Sequence, residues 1–176
     1  DRILRIDPAR RRAVVQPGVV NARLSQAALA HGLHYAPDPS SQTACTVGGN
    51  VAENAGGPHC LKYGVTTNHV VELEVVLPDA STTRLGSAHG EAWGPDLVGL
   101  FVGSEGTFGV TSEITVRLIG KPAGVGTFIA VMPDAIAAGR AVSAIIRQGY
   151  RPRALELLDK AAIDHVRPRA PFAFPT

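Results

Sequence analysis

The stretch "TACTVGGNVAENAGG", residues 43–57, constrains the fold of this chain more than any other segment. Its fifteen positions hold four glycines, three alanines and one charged side chain, Glu53. A hydrophobic core cannot be built from such residues, and an ordinary surface loop carries more charge. Two explanations stay open: main chain packed tightly on main chain, or a thin cradle for a flat or charged ligand. Thr46 is placed to cap a short helix running from Val47 to about Asn54. On that helix Asn50 and Asn54 stand four residues apart, so they share one face and offer amide donors and acceptors, with Ala52 and Ala55 keeping the surroundings thin. Between residues 36 and 58 the ionisable groups are Asp38, Glu53 and the Cys45 thiol, with no Lys or Arg. Phosphate bound there would have to be met by backbone N–H groups and helix-terminal dipoles. A second thin loop, "GSEGTFG" (103–109), also runs into β-branched residues, Val110 and Thr111. Two such loops in one small domain suggest one extended ligand touched twice.

The rest of the chain can supply a core. It has 176 residues, 45% of them apolar and 18% charged, which excludes a disordered segment. A net charge of +2 gives no argument for nucleic acid, and no apolar run is long enough to span a membrane. Two cysteines, Cys45 and Cys60, are too few for a disulfide framework, and their spacing, even with His59 alongside, matches no usual zinc site. A reduced, cytoplasmic protein is the expectation.

Along the chain, "RILRI" and "RAVVQPG" read as strands joined by "DPAR". Asn21 reads as the N-cap of a helix carrying Leu24, Ala27, Ala28 and His31, with Gly32 as its stop. Residues 69–86 read as a β-hairpin turning at Pro78–Ser81, 96–101 as a short helix, and 110–120 as a strand. From Thr127 the expected order is strand "TFIAVM", a helix capped by Asp134, strand "ALELL", then helix "DKAAIDHV". The fold class expected is α+β.

The long run "PDPSSQTACTVGGNVAENAGGPHCLKYGVTTNHVVELEVVLPDASTTRLG", with "GSEGTFGVTSEITVRL" after it, resembles the FAD-linked oxidases. These form the vanillyl-alcohol-oxidase or PCMH-type superfamily. The likeness covers roughly residues 1–166 and is greatest to glycolate oxidase D subunits, beside D-lactate and D-2-hydroxyglutarate dehydrogenases. It implies non-covalent FAD. It places Pro37, Asp38, Ser40 and Ser41 against the flavin ring, and Ala44, Cys45, Thr46, Gly48, Gly49 and Asn50 along ring and pyrophosphate. Ala52, Asn54 and Gly57 continue along the cofactor, Glu105 and Gly106 form the second flavin loop, and the Val110 backbone meets the adenine.

The same resemblance divides the chain into an FAD-binding part, residues 1–121, and the beginning of a C-terminal FAD-linked oxidase domain, ferredoxin-like, at 122–176. It places a first phosphate loop before Asp1 and most of the substrate domain after residue 166, so the chain reads as part of a longer protein. The implied activity is oxidation of a small D-2-hydroxy acid, glycolate or D-lactate, with hydride passing to FAD; no catalytic residue is assigned within the chain. The implied partners are an FAD-fold subunit and an iron–sulfur subunit, in the cytoplasm or peripheral to the inner membrane. Alternatives are a non-catalytic FAD-fold subunit of a glycolate oxidase complex, or another reaction of the superfamily.

Overall fold

The computed structural model describes residues 1–89, 93–170 and 172–174. Five strands form one antiparallel sheet in the order β1-β2-β6-β4-β5: β1 (Ile3–Asp7), β2 (Arg12–Val15), β4 (Val70–Val76), β5 (Thr82–Gly86) and β6 (Val110–Arg117). A two-stranded ribbon pairs β3 (Leu33–His34) with β7 (Ile119–Gly120). The helices are α1 (Asn21–Leu29), α2 (Val47–Glu53), α3 (Cys60–Tyr63), α4 (Leu97–Phe101), α5 (Ala135–Arg147) and α6 (Lys160–Val166). An antiparallel sheet with helices packed on one face is an α+β arrangement, as the sequence pattern predicts.

Side chains alternate across a strand, so one face of the sheet can be apolar throughout. Ala13 and Val15, Leu73 and Val75, and Ile114 and Val116 are all buried on that face. Leu24 and Ala28 of α1, Val47 and Val51 of α2, and Val98 and Phe101 of α4 close over them. Each fully buried aliphatic side chain contributes about 1.5–3 kcal/mol relative to exposure. The other face is polar. There Arg84 on β5 reaches Glu72 at 2.8 Å, Glu74 at 2.7 Å and Glu113 at 3.1 Å, tying three strands together. Those carboxylates, Glu72 first, raise the Arg84 pKa above its ordinary value.

Several expectations hold in detail. The hairpin turns between Val76 and Thr82, and Thr46 and Asp134 each cap their helix by accepting from the amide three residues on, as Asp96 also does before α4. Others do not. Asn21 is not an N-cap: Val20 occupies that position, and Asn21 is the first helical residue, fully buried. The segments "TFIAVM" and "ALELL" form no strand. A period-2 pattern becomes a strand only where an edge is offered to its backbone groups. Neither segment pairs with the other or with the sheet, and Phe128, Ile129, Val131, Leu157 and Leu158 are exposed.

Candidate functional site

Residues 36–57 form no strand and gain their order by docking onto their neighbours. The first amides of α1 donate outward: Asn21 N to Cys45 O at 3.0 Å and Ala22 N to Gln42 O at 2.9 Å. Helix starts always leave such donors, and here the loop supplies the acceptors. Beneath them runs a buried amide chain. Asn50 Nδ2 donates to Asn21 Oδ1 at 2.8 Å, and Asn21 Nδ2 donates to Pro37 O at 3.0 Å. Asn21 and Asn50 are both buried, so α1, α2 and the Pro37 segment are held as one unit.

The start of α2 differs from the sequence expectation. Its first amides are already engaged: Val47 N with Val19 O at 2.8 Å, Gly48 N with Pro17 O at 2.8 Å, and Gly49 N with Thr46 Oγ1 at 3.1 Å. Phosphate recognition by this helix end is therefore corrected: the donors it needs are consumed by the fold. The two asparagines are also committed differently. Asn50 points inward to Asn21, and Asn54 is the helix C-cap, with φ 49° and ψ 48°. Its Oδ1 accepts from Thr67 N at 2.9 Å. They share no open face.

The glycines divide into two kinds. A Cβ at Gly48 would lie 2.4 Å from Pro17 Cβ, and one at Gly57 would lie 2.3 Å from Asp38 O. Both positions are thin because another segment lies on them. Gly49 and Gly106 are exposed; a Cβ at Gly49 would meet only Thr46 Oγ1, at 3.3 Å, and one at Gly106 nothing within 4 Å. Gly106 also adopts φ +74°, a left-handed conformation that favours glycine.

The second loop does come to the first. Gly103 N donates to Val51 O at 2.8 Å and Glu105 N to Ala52 O at 2.9 Å, so residues 103–106 lie on the end of α2. Around this junction Ser40, Ser41, Ala44, Gly49, Glu105, Gly106 and Val110 are exposed, Pro37 is buried, and Asp38, Cys45, Thr46, Ala52 and Gly57 are half-buried. This rim offers hydroxyls, open main chain and no lysine or arginine.

Sequence reasoning missed a polar cluster beside the rim. Asp38 Oδ2 contacts His59 Nδ1, which fixes the 37–41 segment to the loop before α3. Gly57 N donates to the Cys60 sulfur at 2.8 Å, and Cys45 and Cys60 are both free thiols. The Tyr63 ring stands 6.1 Å from the His34 ring and 6.5 Å from the His59 ring. Burial pushes His34 below the ordinary imidazole range; nearby Arg153 adds to this and Asp38 opposes it. His69 Nε2 donates to Tyr63 O at 2.8 Å, and burial lowers the His69 pKa against that bond. Burial raises the Tyr35 hydroxyl above its usual range. The residues lie on or just after β3, in the 37–59 loop, on α3, just before β4 and in the segment before α6, and no sequence spacing links them.

Known proteins share this framework. Residues 1–86 match the family described as FAD binding domain. Glycolate oxidase subunit GlcD of Escherichia coli K12 is 51% identical over 161 residues, covering 92% of this chain and 32% of that protein. D-lactate dehydrogenase of Anaerostipes hadrus is 39% identical over 153 residues, covering 85% of this chain and 31% of that protein. The chain thus spans about a third of the length of these curated relatives. The solved structure of alkyldihydroxyacetonephosphate synthase superimposes with a TM-score of 0.61 at 26% identity, over 70% of this chain and 22% of that one. Residues 1–86 thus carry an FAD binding domain, and the chain as a whole is similar in sequence to these oxidoreductases.

Proposed function

We propose that this chain is the FAD-binding portion of a flavoprotein that oxidises a small D-2-hydroxy acid of the glycolate or D-lactate type. The observation that carries the reading is the 51% identity to a glycolate oxidase subunit across 92% of the chain, both glycine-rich loops included. FAD, when bound, supplies the acceptor for hydride. The chain's own residues position it. Pro37, Asp38, Ser40 and Ser41 face the ring, and Ala44, Cys45, Thr46, Gly48, Gly49 and Asn50 line or support the path beyond it. Ala52, Asn54, Gly57, Glu105, Gly106 and Val110 continue that path. Asn21 and Asn50 hold the loop from beneath. The contact between Asp38 and His59 keeps the ring segment closed on Gly57. Residues 122–176 begin the substrate domain in this reading.

In the same reading the whole protein acts with partner subunits, one of the FAD fold and one carrying iron–sulfur clusters, in the cytoplasm or peripheral to the inner membrane. Among the described residues no helix is long and apolar enough to cross a membrane. The test is an absorption spectrum of the purified full-length protein before and after acid precipitation, then anaerobic addition of glycolate or D-lactate. A flavin band that leaves with the supernatant and bleaches with either acid is expected. A protein without a flavin band, or a flavin reduced by NADPH and by no 2-hydroxy acid, would sink the proposal.

A further inference from the structure

Tyr63 gathers more positive charge than the fold neutralises. The Arg153 guanidinium carbon and the Lys62 Nζ each lie 5.7 Å from the centre of its ring, and the imidazoles of His34 and His59 stand at its edges. The nearby carboxylate, Asp38, is taken by His59. Among the described residues Arg153 makes no ion pair, although its side chain is half-buried. Its Nε is shielded from solvent and has no acceptor, and His34 Nδ1 is shielded and unpartnered in the same way. Two orphaned nitrogens beside one aromatic ring are unusual, because buried polar groups ordinarily find partners. A guanidinium presents its donors as a flat fork that matches a carboxylate oxygen by oxygen.

We propose that Arg153, stacked on Tyr63 and flanked by His34 and His59, is the binding site for a small monocarboxylate. Resting on the function proposed above, that carboxylate is the one carried by the 2-hydroxy acid. Charge favours a monoanion over a phosphate dianion. Lys62 is exposed, the Asp38 carboxylate is engaged by His59, and burial disfavours the charged form of His34, so Arg153 is the cation left without a carboxylate. Position favours a substrate. His34 lies three residues before the segment assigned to the flavin ring, and Asp38 lies within that segment, so an anion on Arg153 would sit beside the ring. The imidazoles would then meet the rest of the molecule.

The test uses the flavin-loaded full-length protein and propionate, a monocarboxylate that lacks the 2-hydroxyl and cannot be oxidised in the same way, titrated by calorimetry and by the flavin difference spectrum. Arg153→Gln should raise the propionate Kd about ten- to hundredfold, the loss of a charge-assisted pair. Arg153→Lys should recover part of it. Arg151→Gln removes the same charge from an exposed neighbour and should leave the Kd unchanged. With a 2-hydroxy acid, KM should rise in Arg153→Gln while kcat changes less. An unaltered propionate Kd in Arg153→Gln, or an equal loss in Arg151→Gln, overturns the site. If Arg153→Gln does not fold, Arg153→Lys carries the comparison, and wild-type affinity in it refutes the fork. Arg153-dependent propionate binding with no reduction by any 2-hydroxy acid keeps the site and rejects the function. Reduction with the same KM in wild type and Arg153→Gln keeps the function and rejects the site.

Discussion

Gly48 and Gly49 are adjacent and chemically identical, yet the fold asks opposite things of them. In Gly48→Ala the new methyl would lie 2.4 Å from Pro17 Cβ and 3.0 Å from Pro17 Cα and O. Carbon atoms in contact prefer about 3.5–4.0 Å, so Pro17 must retreat by about 1 Å. Overpacking of this kind costs about 1–3 kcal/mol. The Gly48 N to Pro17 O hydrogen bond, 2.8 Å long, is strained by the same movement. Its weakening adds up to about 1 kcal/mol. Alanine's better helix propensity returns about 0.5–1 kcal/mol, leaving a net destabilisation of about 1–3 kcal/mol. In Gly49→Ala the one close atom is Thr46 Oγ1 at 3.3 Å, and that hydroxyl can give by a few tenths of an ångström. The propensity gain and the disturbed cap nearly cancel, so stability should stay within about 0.5 kcal/mol of wild type. Urea unfolding without flavin measures both, and FAD titration by fluorescence then separates stability from affinity. Gly48→Ala should lose stability and affinity together, and Gly49→Ala affinity alone. A Gly48→Ala protein as stable as wild type that fails to hold FAD would refute the division and return Gly48 to the rim.

Two further outcomes follow from the buried polar groups. Asn50→Leu leaves Asn21 Oδ1 buried without its donor and should cost about 1–3 kcal/mol, while the Asn21→Leu, Asn50→Leu double variant should lose less than the sum; additive losses in a double-mutant cycle would contradict the amide chain. Stability should also fall on acidification through His34 and His69, whose pKa values the fold depresses below 6.5. Above the unfolded value both states bind no proton and nothing changes; below it the unfolded chain binds protons that the folded one resists, so the loss begins as pH drops through about 6.5. Protonating His69 would also place an N–H at Nδ1, which is buried and without an acceptor. Denaturant midpoints between pH 7.5 and 5 in wild type and His69→Gln check this, and an unchanged slope in the variant would remove His69 from the account.

Most of the sheet and the helix starts were legible because they are local. The hairpin with its turn at Pro78–Ser81 and the caps Thr46 and Asp134 each declare themselves within a few residues, whereas the bulge that buries Val70 in place of Val71 does not. What the sequence could not carry is partnership. "TFIAVM" has a strand's composition, but composition does not say whether an edge is available, and none is paired to it here. Asn21 has the chemistry of an N-cap, yet burial beside Asn50 gives that chemistry a different use. Nothing in "RPRALELL" shows that the Tyr63 ring lies against Arg153.

The glycines are the sharpest case, since one letter stands for two physical roles. At Gly48, Gly57 and Gly109 the missing Cβ makes room for protein, with Pro17, Asp38 O and Val76 O at 2.4, 2.3 and 2.6 Å from where it would be. At Gly106 it leaves open space, and at Gly49 it meets only the Thr46 hydroxyl at 3.3 Å. The first set makes the second useful. Main chain that is already packed and hydrogen-bonded loses little freedom when a ligand arrives, so the rim can bind without first being ordered. The start of α2 illustrates the cost of that arrangement: its amides fix the loop and are no longer available to phosphate. Cofactor affinity should therefore depend on residues that never touch the cofactor, Pro17 and Asn21 among them. Their variants are distinguished from rim variants by losing affinity only in company with stability.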